Sequence, residues 1–418
     1  RTWVGTVEGL VRADRAGAAE GRSVGAGLES TAVTSLAEDL DGRVWAGTVS
    51  GGVHLLSEDG AAAAREPGLP TRPVNALISD RDGSVWSGSG GGLVRLRPRL
   101  LPPVTGQDPG STEVVWSVYA DPVDGALWLG VDGHGVRRLS GGRVTSDAGR
   151  WGLVGSTVSA ALRTSDGDLW LSVRSAGVLR VRGDEVEPVR DADGAPYERV
   201  RGLFQATDGG VWLGTERGLE RHAGGRAARV PVATGWPFRV VAEDRAGRVW
   251  AGGAALRLLE GPAWQDRTPP GLEAVRHVMS LLPDGDSLWI ASYQAGLQLW
   301  HRGRVITFGD LDRRLAGRAV AVLLDGHDGL WLALEGALVR ASRDELLAAA
   351  EGRGGALRLQ AFDERDGMPS TEFTAAGQSP AARTPDGRLW FGTVAGLVMV
   401  DPERLAARSS ASFCSRAP

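Results

Sequence analysis

A tryptophan returns ten times at a near-constant interval, and that interval limits what this chain can fold into. It stands at Trp3, Trp45, Trp86, Trp128, Trp170, Trp212, Trp250, Trp289, Trp331 and Trp390, with spacings of 42, 41, 42, 42, 42, 38, 39, 42 and 59 residues. A regular copy reads Asp41-Gly42-Arg43-Val44-Trp45-Ala46-Gly47-Thr48, and Asp82-Gly83, Asp124-Gly125, Asp166-Gly167, Asp208-Gly209 and Asp386-Gly387 open others. Later copies drift, with Ala246 replacing the Asp before Trp250, and with one residue more before Trp289 and one fewer before Trp331. A short strand such as Leu389–Thr393 cannot bury its own indole, so each copy needs a surface supplied by another.

Asp-Gly between apolar runs predicts a tight hairpin of type I′, in which both central residues take positive φ. Each period then divides into an apolar strand (Val33 to Ala37), an acidic turn, the Trp strand, a Gly turn, a third strand (Val53 to Leu56) and room for an outer fourth. Four short antiparallel strands in about 42 residues match a blade of an all-β propeller, stacked face to face around a central channel. The Trp is expected between blades, and the small residue or Gly after it lets neighbouring sheets approach.

The stretch from Leu100 to Gly110 is the most proline-rich connection and is expected to separate two rings. That division gives three blades of an upstream propeller over 1–99, a seven-bladed propeller over 112–403 and a disordered tail over 404–418, with a single ring of nine or ten blades as the alternative. Within the long last interval, Ser342-Arg343-Asp344-Glu345 is a capping box before an Ala- and Leu-rich run ended by Gly352, which predicts a short helix between strands.

The formal charge of -4 over 418 residues argues against nucleic-acid or membrane-surface binding. All 47 basic residues are Arg, and the single Cys414 excludes an internal disulfide and a multi-cysteine zinc site. No apolar stretch is long enough for a membrane-spanning helix and no signal peptide is read; because the chain starts inside a repeat, a missing leader says nothing about compartment.

The repeat resembles the two-component regulator propeller repeats of bacterial sensor proteins, over about residues 1–403. Its most specific part is the final unit, Phe362-Asp363-Glu364-Arg365-Asp366-Gly367-Met368-Pro369-Ser370-Thr371-Glu372-Phe373, followed by the copy around Trp390. The resemblance implies the periplasmic or extracytoplasmic sensing region of a hybrid histidine kinase or diguanylate cyclase. Its partners would be a small polar ligand or oligosaccharide and a downstream signalling domain absent from this chain, with no nucleic acid and with homodimer formation left open. The strict Trp-x-Gly-Thr pattern holds at Trp3, Trp45, Trp212 and Trp390, whereas Trp170, Trp289 and Trp331 lack the Gly.

The residues themselves carry no catalytic signature. The acidic turns Asp39-Leu40-Asp41-Gly42 and Asp80-Arg81-Asp82-Gly83 lack the ligands and closing Glu of a calcium loop, and turn chemistry explains them. The histidines His54, His134, His222, His277, His301 and His327 have no metal-ligand spacing, so no metal and no cofactor is expected. No nucleophile elbow or phosphate loop occurs.

The turns after the Trp strands and the starts of the first strands are expected on one face. In the seven-bladed ring that face would carry Asp132, His134, Arg174, Glu216, Arg217, Tyr293, Gln294 and Glu335. This mixture suits a saccharide or peptide, and ordinary solvated loops are the alternative. Trp116, Trp151, Trp236, Trp264 and Trp300 are expected to pack blades. A ligand-binding, non-enzymatic sensor is therefore the reading, against a propeller lyase or hydrolase, or a protein-interaction scaffold.

Overall fold

The structure, a computed structural model, describes residues 2–406 except 14–21, 25–27, 29–31, 40–41, 51, 58–62, 66–72, 81–82, 97–99, 102–112, 233–236, 262, 376 and 379. Most of the proline-rich connection, Trp236 and the final twelve residues, 407–418, lie outside the described residues. Residues 1–100 with 403–418 form one unit and 101–402 another.

The first unit has three antiparallel sheets, which begin with the strands Thr2–Thr6, Val33–Glu38 and Val74–Ser79. Trp45 is buried among Val53, Val74, Leu77 and Val85, so the indole of one sheet is covered by the next.

Among its described residues the second unit has seven sheets, six of four strands and the last of three, each an up-and-down meander in chain order. Their first strands are Val115–Ala120 (blade 1), Val158–Arg163 (blade 2), Val200–Gln205 (blade 3), Phe238–Glu243 (blade 4), Val278–Asp284 (blade 5), Ala319–Leu324 (blade 6) and Ala381–Arg383 (blade 7). Trp250 packs with Leu281, Leu288 and Ile290 of the next sheet, and Trp289 with Val322, Leu330 and Leu332 of the one after. The same contact closes the ring, because Trp390 and Leu397 of blade 7 pack on Val115, Leu127 and Leu129 of blade 1. The all-β propeller is thus held by apolar surface between blades, which no blade could bury alone.

The Gly two residues after Trp has the spacing role expected of it. A Cβ at Gly392 would sit 2.8 Å from the Val115 carbonyl oxygen across the closing joint, and one at Gly214 would sit 2.8 Å from that of Phe238. Blade 2 carries Ser172 there instead, and its hydroxyl donates to the Val200 carbonyl at 2.6 Å.

The Asp-Gly hairpins are not of type I′. In blade 2, Gly167 N–H donates to the Thr164 carbonyl and Thr164 N–H to the Asp168 carbonyl, while only Gly167 has positive φ, at 92°. This is a three-residue loop, a type I turn followed by a left-handed Gly. Asp124, Asp166 and Asp208 keep negative φ, and the Asp needs no strained backbone.

A different acid explains the recurrence of the motif. Six residues before the Trp, Asp39, Asp80, Asp244 and Asp325 each accept the indole Nε1–H at 2.7–3.1 Å. Asp121 and Asp284 do the same from seven and five residues away. The carboxylate also takes backbone N–H groups of its own turn, as Asp39 does from Arg43 and Asp325 from His327 and Gly329. One buried acid therefore ties the turn to the interblade indole.

Blade 3 lacks this acid. Ala206 stands six residues before Trp212, and both the Trp212 Nε1–H and the Arg221 Nε–H are buried with no acceptor among the described residues. The turn otherwise matches, with Ala206 N–H donating to the Gly210 carbonyl as Asp39 N–H does to that of Arg43. We expect Ala206→Asp to stabilise the protein by about 1–2 kcal/mol, because one carboxylate would answer two orphan donors. Equilibrium denaturation at neutral pH checks this, and a loss of stability, the usual result of burying an acid, would refute it.

The predicted helix is Arg343–Ala350, with Ser342 Oγ accepting from Glu345 N–H at 3.1 Å. The Glu345 carboxylate does not complete the box; it holds Arg358 at its Nε, 2.6 Å away, and at its backbone N–H. That contact fastens the helix to the strand Leu359–Phe362 that follows.

Candidate functional site

The channel side chains come from an irregularity repeated in every full blade. Pairing of the first and second strands slips by one residue at Trp116, Ser159, Arg201, Arg239, Met279 and Val320, each the second residue of its first strand. Such a bulge re-aims the extra side chain. Five of these six, all but Ser159, line one cavity of about 770 Å³.

Blade 7 enlarges the same irregularity. Phe373 pairs with Thr393, and the Pro380 carbonyl accepts from Gly392 N–H, so Thr374, Ala375, Gly377 and Gln378 lie outside the strand pairing where other blades have a single extra residue. The described part of this excursion reaches four other blades. Thr374 Oγ1 donates to the Val115 carbonyl at 2.6 Å, Gln378 N–H to the Ser159 carbonyl at 2.8 Å, and Gln378 Nε2 to the Leu203 carbonyl at 3.0 Å. The Arg239 Nη1 group donates to the Ala375 carbonyl at 2.8 Å. Gly377 lies so close to the backbone of Ser159 and Trp116 that a side chain would collide there. The long interval before Trp390 therefore holds this excursion as well as the helix.

The excursion floors the cavity. Glu372, Phe373, Thr374 and Ala375 line it, while Gln378 lines a smaller space of about 320 Å³ among Leu203, Phe204, Leu281 and Val322. Arg239 lines both.

The walls mix cations with aromatic faces. The Arg318 guanidinium lies 5.0 Å over Tyr293 and pairs with Glu335 at 3.2 Å. Arg201 pairs with Glu216 at 3.0 Å. Burial pushes the Glu216 carboxyl up, but the hydrogen bond and charge of Arg201 and the charge of Arg199 outweigh it, leaving the pKa below the usual range. The Arg174 guanidinium stacks 4.8 Å over Trp116, whose indole N–H is buried without an acceptor among the described residues. Burial, and then the like charge of Arg201, lower the pKa of Arg239. Among the described residues no carboxylate stands within ion-pair distance of it.

Of the eight residues singled out from sequence, Tyr293 and Glu335 line the cavity. Arg174 and Glu216 stand behind it, stacked on Trp116 and paired with Arg201. The other four lie on the same rim outside the lining. Asp132 accepts from Thr157 Oγ1 at 2.7 Å, and the His134 ring sits 2.7 Å from the Asp132 carbonyl and 3.6 Å from Glu113. Arg217 pairs with Glu198 at 3.5 Å, and the Gln294 N–H donates to Ser292 Oγ.

Trp116, Arg201, Arg239, Met279 and the excursion were missed. Trp116 is a cavity wall, whereas Trp151, Trp264 and Trp300 pack, tilted or edge-on, against the interblade Trp128, Trp212 and Trp250 as expected. The usable signal was the position just after the apolar start of each first strand, ten to twelve residues before the repeat Trp.

A closed ring of seven blades with an axial cavity defines a β-propeller. No protein-family model and no curated protein matches the chain. Solved structures do resemble it. The extracellular domain of a hybrid two-component system from B. thetaiotaomicron superposes with a TM-score of 0.64 at 18% identity, over 98% of this chain and 55% of that one. A second such domain from the same organism gives 0.54 at 15% identity, over 95% of this chain and 56% of its own. PorZ, a surface component of the type-IX secretion system of Porphyromonas gingivalis, gives 0.50 at 14% identity, over 95% and 72%. The likeness is one of fold, the same fold as in extracellular two-component sensor domains, and the chain spans about half the length of those domains.

Proposed function

We propose that this chain is the ligand-sensing propeller region of a bacterial signal-transduction receptor, working outside the cytoplasm and without catalysis. Residues 112–403 would form the sensing ring and 1–99 three blades of an upstream one. A saccharide or peptide would bind at the channel mouth, and its presence would be passed to a signalling domain outside this chain. The observation that carries this reading is the axial cavity, with aromatic and charged walls drawn from five blades and a floor to which the excursion of the seventh contributes. Mostly preformed cavities of this size with a few convergent polar groups suit small-molecule binding.

The rim residues Asp132, His134, Arg174, Glu216, Arg217, Tyr293, Gln294 and Glu335 belong to this proposal, with Tyr293 and Glu335 closest to the ligand. Calorimetric titration of the full chain against oligosaccharides and peptides tests it. Binding without turnover, weakened at least tenfold in Tyr293→Ala, is the expected result. Chemical conversion of a bound compound, or binding indifferent to Tyr293, would overturn it.

A further inference from the structure

The pairing of the cavity's charged groups narrows what it can hold. Two of its three guanidinium groups are already answered, Arg201 by Glu216 and Arg318 by Glu335, and the remaining acid of the lining, Glu372, is exposed. The third, Arg239, spends one terminal nitrogen on the Ala375 carbonyl and on Met279 Sδ at 3.2 Å, and meets no carboxylate among the described residues. It is drawn into the channel by its bulge and half-buried there. An isolated charge in such a place is costly unless an opposite charge joins it.

We propose that the cavity takes the carboxylate of an organic monoanion onto Arg239, with the ligand's ring or apolar body against Trp116, Met279 and Phe373. This rests on the sensing role proposed above and names the chemistry of its ligand. A guanidinium fork matches a planar carboxylate with two parallel hydrogen bonds. The walls agree, since Val114, Pro237, Val320 and Val394 surround the same space with apolar surface suited to a carbon skeleton.

The test is calorimetric titration of the full chain with matched pairs, glucuronate against glucose, and N-acetylphenylalanine against its amide, with inorganic phosphate alongside. At least one acid is expected to bind ten times or more tightly than its neutral partner. Arg239→Met should abolish that preference, and Arg239→Lys should keep part of it. Melting curves of both variants establish that they fold, and if Arg239→Met does not, Arg239→Lys and the acid-to-neutral ratio of the native chain decide. Equal binding of acid and neutral partners overturns the carboxylate assignment and leaves the sensing role standing. Phosphate binding above that of the acids overturns it as well. Failure of every acid below about 10 mM also rejects it, whatever the broader ligand screen returns.

Discussion

Replacement of Asp325 by Ala is expected to cost about 3–5 kcal/mol, the largest loss for any single polar side chain in the ring. Asp325 is 2% exposed. One of its oxygens accepts the Trp331 indole N–H at 3.1 Å, and the other takes the backbone N–H groups of His327 and Gly329, both at 2.9 Å. Arg340 approaches the first oxygen at 3.5 Å and lies over the same indole ring. Truncation removes the acceptor and leaves these donors in a dry joint between blades 6 and 7, at about 1–3 kcal/mol for each fully buried donor. Asp325→Asn keeps one oxygen for the turn but turns an amide N–H toward a donor, so its loss should fall between native and Ala. Urea denaturation at neutral pH measures both, and a cost below about 1 kcal/mol for the Ala variant would remove the acid from its assigned place.

Gly130→Val should be nearly as damaging, at about 3 kcal/mol, though no polar group is lost. A Cβ at position 130 would overlap the Val158 carbonyl oxygen and Ser117 Oγ. The obstacle is backbone, held by the pairing of blade 2 and by the hydrogen bond of Ser117 Oγ to that same carbonyl at 3.4 Å. No rotamer relieves the overlap; the two sheets must part, which places the cost at the upper end of overpacking. Gly130→Ser should cost less, since Ser172 occupies the equivalent place in blade 2 and bonds across the joint. Denaturation curves of the pair decide the matter, and equal stability of the Val and native chains would refute tight contact at this joint.

The architecture was legible because its signal is redundant. Ten indoles at a steady spacing tolerate the loss of several Asp and Gly residues, and neighbour-on-neighbour burial demands such repetition. The short helix after Ser342 was legible from its cap for the same local reason. The turn type was not, because Asp-Gly suits both a two-residue loop and a three-residue loop ending in a left-handed Gly. The acid six residues before the Trp was visible, yet only coordinates show that its carboxylate reaches the indole. The site was harder still. A bulge adds one residue without disturbing the apolar pattern, so Trp116, Arg201 and Arg239 looked like ordinary strand residues. The run from Thr374 to Ser379 has no periodicity that would announce a crossing of the channel.

That crossing lies between two spaces of the bore, one of about 770 Å³ and one of about 320 Å³. The described part of the crossing is anchored on the backbones of Val115, Ser159 and Leu203. Arg239 faces both spaces, so under the proposed sensing role an occupant held on it from one space would be felt in the other.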